Sequence, residues 1–210
     1  MPDIATTMAI TDKPGRIRYL IVFMLFVVTM VNYADRATIS IAGPALSKDL
    51  GLSAVQMGYV FSAFGWSYVI AQIPGGWLLD RFGSRTVYFW SIFIWSIFTL
   101  LQGSIGLLGS GAAAVVTLFT LRLLVGLAEA PSFPANGRIV AAWFPSNERG
   151  TASAIFNSAQ YFATALFAPI MGWLVYSYGW PSVFYFMGIV GILVSLIWLK
   201  TVYSPKDPRA

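Results

Sequence analysis

Long apolar runs, broken at intervals by short turn-rich or charged separators, set the pattern of this chain. A helix that crosses a bilayer needs about 20 mostly apolar residues. Six segments reach that length, at roughly 19–44, 55–79, 86–108, 112–140, 151–177 and 182–201. The separators read SKDLGLS, DRFGSR, GSG, FPSNERG and YGWPS. Nowhere does the pattern alternate with the two-residue period of a half-buried strand. It predicts an all-α membrane protein with six transmembrane helices over 19–201, a cytoplasmic N-terminal tail over 1–18 and the start of a loop over 202–210.

The six spans differ in where their polar positions fall. The first and fourth carry charges inside the apolar run. The second carries Tyr68 and Gln72, the fifth Asn157 and Gln160, and the third and sixth carry no charge. A three-plus-three repeat accounts for this, with helices one and four, two and five, and three and six as counterparts. In that arrangement the third and sixth helices face lipid or support the bundle, and the other four line a polar path.

Composition narrows the chemistry. The chain of 210 residues is 58% hydrophobic and 10% charged, against about 25% charged in ordinary soluble domains. It has no cysteine and no histidine, which removes disulfides, thiol nucleophiles, Cys/His metal sites and histidine acid–base chemistry. No metal and no cofactor is expected, with protons as the coupling ion. The net charge of +5 is a topology signal and not a nucleic-acid footprint, because the basic residues sit between apolar runs. Lys13, Arg16, Arg18, Arg81, Arg85, Arg138, Arg149, Lys200, Lys206 and Arg209 fall on one side and only Lys48 on the other. Both termini are therefore expected in the cytoplasm. The first span is read as a retained helix and not a cleaved signal peptide: it is long, charge-interrupted and without a convincing cleavage site.

The embedded charges are Asp35, Arg36, Arg122 and Glu129. A charge at the bilayer centre costs at least about 2.5–3.5 kcal/mol on insertion scales, so it is normally paired or functional. Arg122 and Glu129 lie seven residues apart, on one helix face and about 10 Å apart along the axis, whereas the adjacent Asp35 and Arg36 point about 100° apart. Counting rise from the span ends places Asp35, Arg36 and Arg122 at similar heights and Glu129 nearer the cytoplasm, which makes an Asp35–Arg122 bridge sterically reasonable. Two arginines and two carboxylates sum to zero, so protonating a carboxylate releases an arginine to hold an anion. This predicts proton-coupled transport of a small organic anion, with Asp35 and Glu129 carrying the proton. Arg36 and Arg122 are the anion ligands, their planar donor forks suiting a carboxylate. Asn157 and Gln160, spaced i,i+3, can share the cavity, and Tyr33 and Tyr68 can meet substrate hydroxyls. Packing between helices accounts for each of these four about equally well. Pro131 and Pro134 follow Glu129 and predict a kink beside it.

GGWLLDRFGSR, residues 75–85, joins the second span to the third with a spacing more particular than a basic loop requires. It resembles the loop signature of the major facilitator superfamily, with Gly76, Asp80, Arg81, Gly83 and Arg85 at its key positions, and Arg122 resembles the arginine of that superfamily's fourth-helix motif. NYADRATISIA, GLAEAPSFPANGRIVAAWFP and ERGTASAIFNSAQYFATALFAPIMGW narrow the resemblance to the sugar-acid branch of the anion:cation symporters, nearest to glucarate and galactarate carriers of bacterial inner membranes. The resemblance implies a rocker-switch proton symporter. Its proton-carrying acids fall on Asp35 and Glu129, its substrate contacts on Arg36, Tyr68 and Gln160, and its charge network on Arg122. Its cytoplasmic aspartate, which helps hold the outward-facing state, falls on Asp80.

Carriers of that family have two six-helix halves, and this chain resembles the first. The expected reading is a truncated half-transporter whose partners are the lipid bilayer, a small organic anion, and a C-terminal half or a second copy. An anion channel subunit would use Arg36 and Arg122 but has no need of two carboxylates beside them. A structural fragment would tolerate neutral replacements of both acids. A membrane enzyme is not expected, since a serine nucleophile would need a lysine partner and no lysine lies inside a span.

Overall fold

The computed structural model describes residues 17–109 and 111–202. Most of both expected tails, with Lys13, Arg16, Lys206 and Arg209, lies outside the described residues. The elements are α1 (Ile17–Leu50), α2 (Ala54–Phe82), α3 (Ser84–Gln102), a short 3₁₀ turn (Ile105–Leu108), α4 (Ala112–Glu129), α5 (Ser132–Trp143), α6 (Arg149–Tyr178) and α7 (Pro181–Thr201). No strand occurs among the described residues. Five stretches are long and apolar enough to cross a membrane: α1, α3, α4 with α5, α6 and α7. The sixth expected span, α2, has the length at 29 residues but is less apolar.

Two boundaries differ from expectation for physical reasons. α1 runs six residues past the apolar segment, through Pro44 to Leu50, because its last turns stay packed: Leu46 and Leu50 are buried against Met57, Ile105 and Phe184. The fourth span is two helices. Pro131 has no N–H to donate, and the helix stops at Glu129 and restarts at Ser132. Ser91 on α3 donates its hydroxyl to the Ala128 carbonyl at this break.

α1 packs along α6 and α7, α4 along α2 and α3, and α3 along α7. One end of the bundle is closed by a capping box at Ser53 and Gln56 and by Trp180 Nε1 donating to Asp49 at 2.9 Å. The other end holds the basic residues. There Arg18 pairs with Glu148 at 2.6 Å, Asp80 pairs with Arg138, and Arg85 donates to the Leu199 carbonyl at 2.7 Å. Large apolar side chains such as Trp66, Ile73 and Leu107 point outward.

α7 is the supporting helix that the pattern predicts, with Phe184, Met187 and Trp198 buried. α3 is not. It carries Tyr88, Ser91 and Thr99 into the polar interior. A charge count misses this because the residues it brings are neutral.

Candidate functional site

The embedded charges gather where α1, α2, α3 and α4 meet. Asp35, Arg122 and Glu129 are buried to within 3% exposure, and the Arg36 side chain is 26% exposed. The ion pair here joins Arg36 to Glu129: Arg36 Nε donates to Glu129 Oε2 at 2.9 Å. The Asp35–Arg122 bridge that helical rise allows is not among the ion pairs of the described residues. Asp35 faces α3 instead, where Thr99 Oγ1 donates to Oδ2 at 3.0 Å. The two neighbours thus point to different helices, as a 100° turn per residue requires.

Aromatic rings wall the arginines. The Arg36 guanidinium lies 4.6 Å from the Tyr68 ring centroid, 5.1 Å from that of Phe64 and 5.2 Å from that of Tyr33. Arg122 lies 5.0 Å from the same Phe64 ring. Each such contact contributes about 0.5–2 kcal/mol. Phe64 escaped the sequence reading because an apolar residue in an apolar span gives no signal.

Close helix approach makes this possible. A Cβ on Gly126 would stand 2.6 Å from the Phe64 carbonyl oxygen and 2.1 Å from Ser67 Oγ, so only glycine lets α2 bring Phe64 and Tyr68 up to α4. Several polar atoms of the site are left over. Asp35 Oδ1, Arg122 Nε and Glu129 Oε1 are buried without a hydrogen-bond partner among the described residues. Buried polar groups are nearly always bonded, so these three atoms call for a partner that the described residues do not supply.

Towards the basic end, Tyr88 donates to Asn136 Oδ1 at 2.7 Å, and Asn136 Nδ2 donates to Thr29 Oγ1 at 3.3 Å. Of the remaining expected residues, Asn157 and Gln160 sit half-buried on α6. Neither side chain makes a hydrogen bond among the described residues.

In the loop signature, Gly83 ends α2 at φ 80°, where a side chain would be strained. Asp80 pairs with Arg138, Arg81 lies over Trp77 and Phe82 of its own helix, and Arg85 ties α3 to α7. Gly76 has open space where a Cβ would stand.

Residues 25–210 match the family model described as Major Facilitator Superfamily. The chain is 68% identical to the probable galactarate/D-glucarate transporter GudP of Bacillus subtilis, covering 92% of this chain and 42% of the relative. It is 65% identical to the protein of the same name from Escherichia coli K12, over 99% and 46%, and 44% identical to a D-galactonate transporter of Escherichia coli O6:H1, over 92% and 44%. It therefore spans less than half the length of these curated relatives. Crystal structures of a bacterial homolog to the human lysosomal transporter Spinster, inward-facing, superpose with TM-scores of 0.74 and 0.75 at 26% identity. They cover 92% and 93% of this chain and 46% of theirs.

Proposed function

The chain belongs to the Major Facilitator Superfamily, and from that premise we propose that it is one half of a proton-coupled symporter for a sugar-acid anion of the galactarate and D-glucarate class. It works in a bacterial inner membrane. The observation that carries this reading is the Arg36–Glu129 ion pair inside a membrane bundle, bounded by aromatic rings and by unpartnered polar atoms.

Glu129 holds Arg36 while the site is empty. Protonation of Glu129 ends the charge pairing, and Arg36 takes a substrate carboxylate in its place. Arg122, whose Nε lacks a partner, is the second anion ligand, and Asp35 is the second proton carrier. Tyr33 and Tyr68 line the approach to Arg36 and meet substrate hydroxyls. Asn157 and Gln160 on α6 join them from the far side of the path.

The helix pairing supports a three-plus-three repeat. α1 lies along α6 as α4 lies along α2, and α1 meets α7 as α4 meets α3. The gathering of Arg18, Arg81, Arg85, Arg138, Arg149 and Lys200 at one end, with Lys48 at the other, supports a cytoplasmic placement of both termini. Asp80 and Arg138 at that end form the gating contact. The other wall of the cavity comes from a C-terminal half or a second copy.

Uptake of labelled D-glucarate into proteoliposomes under an inward proton gradient tests the proposal, with the chain alone and with a co-expressed C-terminal half of a glucarate carrier. Uptake is expected with the added half and is expected to be lost in Glu129→Gln. Uptake that ignores both the proton gradient and Glu129→Gln would instead favour an anion channel.

A further inference from the structure

Beside the Arg36–Glu129 pair, the facing helices carry polar residues in step. Thr29, Asn32 and Arg36 follow one face of α1, and Glu129, Ser132 and Asn136 follow one face of α4 and α5 across the break. The two stripes close at both ends, Arg36 on Glu129 and Asn136 on Thr29. Between these closures lies a cavity of about 10 Å³. Asn32, Tyr88 and Ser132 border its inner side, and the half-buried Tyr33 and Tyr68 with the exposed Phe133 border its outer side.

The walls are polar and not fully satisfied. Asn32 is 5% exposed and its Nδ2 has no partner among the described residues. An amide left in that condition costs about 1–3 kcal/mol. Glu129, whose salt-bridge partner Arg36 lines the cavity and whose i+3 neighbour Ser132 does too, keeps an unpartnered Oε1. A space of about 10–15 Å³ with two to four polar neighbours is what one buried water requires.

We propose that this cavity binds one ordered water, held by a hydrogen bond from Asn32 Nδ2, and that this water passes the proton of Glu129 to and from the open side of the bundle. The water site stands on the cavity alone; the relay rests on the symport reading. On release, the O–H bond of the Glu129 carboxyl breaks and its proton goes to the water. The water gives one of its own protons to solvent past Tyr33 and Tyr68, and the carboxylate left behind keeps Arg36 as counter-ion. Tyr88, whose hydroxyl hydrogen is committed to Asn136, offers the water an acceptor. Asn32 is a positioning residue, acting through the water it orients.

Millisecond X-ray hydroxyl-radical labelling of the chain in lipid nanodiscs reads the site directly, because the radicals arise from water and modify side chains beside it. Tyr88 and Trp198 are paired reporters: both are fully buried and their ring centroids are 4.7 Å apart, but only Tyr88 lines the cavity. Tyr88 is expected to label several-fold faster than Trp198. Asn32→Leu is expected to abolish the difference, and Asn32→Ala, which leaves room for water, to keep it. Equal labelling of Tyr88 and Trp198 in the unmodified chain overturns the water site, whatever the transport result. In proteoliposomes that take up the sugar acid, Asn32→Leu is expected to lower proton-driven accumulation by roughly tenfold or more while sparing counterflow exchange. Equal loss of both overturns the relay. Absence of uptake by the unmodified protein sinks the symport reading and the relay with it, and leaves the labelling result standing.

Discussion

At the scale of single residues, Arg36 and Glu129 test how much of the site is held by charge. Removing one member of a buried pair leaves an uncompensated charge and costs about 3–5 kcal/mol, whereas replacing both with apolar groups is often neutral. Arg36→Leu is therefore expected to lower the unfolding midpoint of the detergent-solubilised chain sharply, and Arg36→Leu with Glu129→Leu to recover most of the loss. Additive losses would mean that the two side chains are not coupled. The four charges themselves were legible in the sequence, since nothing else in an apolar span looks like them. Their pairing was not. Helical rise places Asp35 level with Arg122, but backbone height ignores side-chain reach and direction, and Asp35 turns to Thr99 on α3 while Arg36 extends to Glu129. Thr99 and Phe64 left no mark in a reading built on charge.

At the scale of elements, glycines separate positions that look alike in sequence. A Cβ on Gly126 meets the α2 backbone at 2.6 Å, whereas one on Gly76 meets nothing within 4 Å. Gly126→Ala is expected to destabilise the bundle by about 1–3 kcal/mol through overpacking. Gly76→Ala is expected to be neutral or to stabilise by up to about 1 kcal/mol through helix propensity. Thermal unfolding of the two variants side by side checks the contrast, and equal effects would contradict the packing described for α2 and α4. Pro131 and Pro134 made a kink legible beside Glu129, but not that the helix would end there. At the break, a hydroxyl from α3 takes the Ala128 carbonyl, a contact that the α4 sequence does not announce. The apolar run also ended before α1 did, because hydropathy records lipid contact and not the packing of Leu46 and Leu50.

For the whole molecule, orientation is the property most open to test. The chain contains no cysteine, so single cysteines report cleanly. Ala54 and Ser146 are both exposed and lie at opposite ends of the bundle. In intact spheroplasts, a membrane-impermeant maleimide is expected to label Ala54→Cys directly and Ser146→Cys only after permeabilisation. The reverse pattern would invert the proposed topology. The all-helical class was legible because a bilayer imposes a length and a polarity on every span, and five of the six expected spans meet both among the described residues. The partnership of α3 with α7 was not, since it is written in Gly188, Gly191 and Ser96 meeting across an interface, small residues that hydropathy does not weigh.

The separation of Arg36 from Glu129, 93 residues along the chain, has a consequence for biosynthesis. At about 5–20 residues per second, a ribosome completes Glu129 roughly 5–20 s after Arg36. Throughout that interval α1 is already made and carries two charges, each costing about 2.5–3.5 kcal/mol at a helix centre, while the partner of one of them does not yet exist. The first helix to be synthesised thus cannot complete this ion pair until the fourth span has been made. The newborn chain depends on whatever shelters Asp35 and Arg36 until the fourth span arrives.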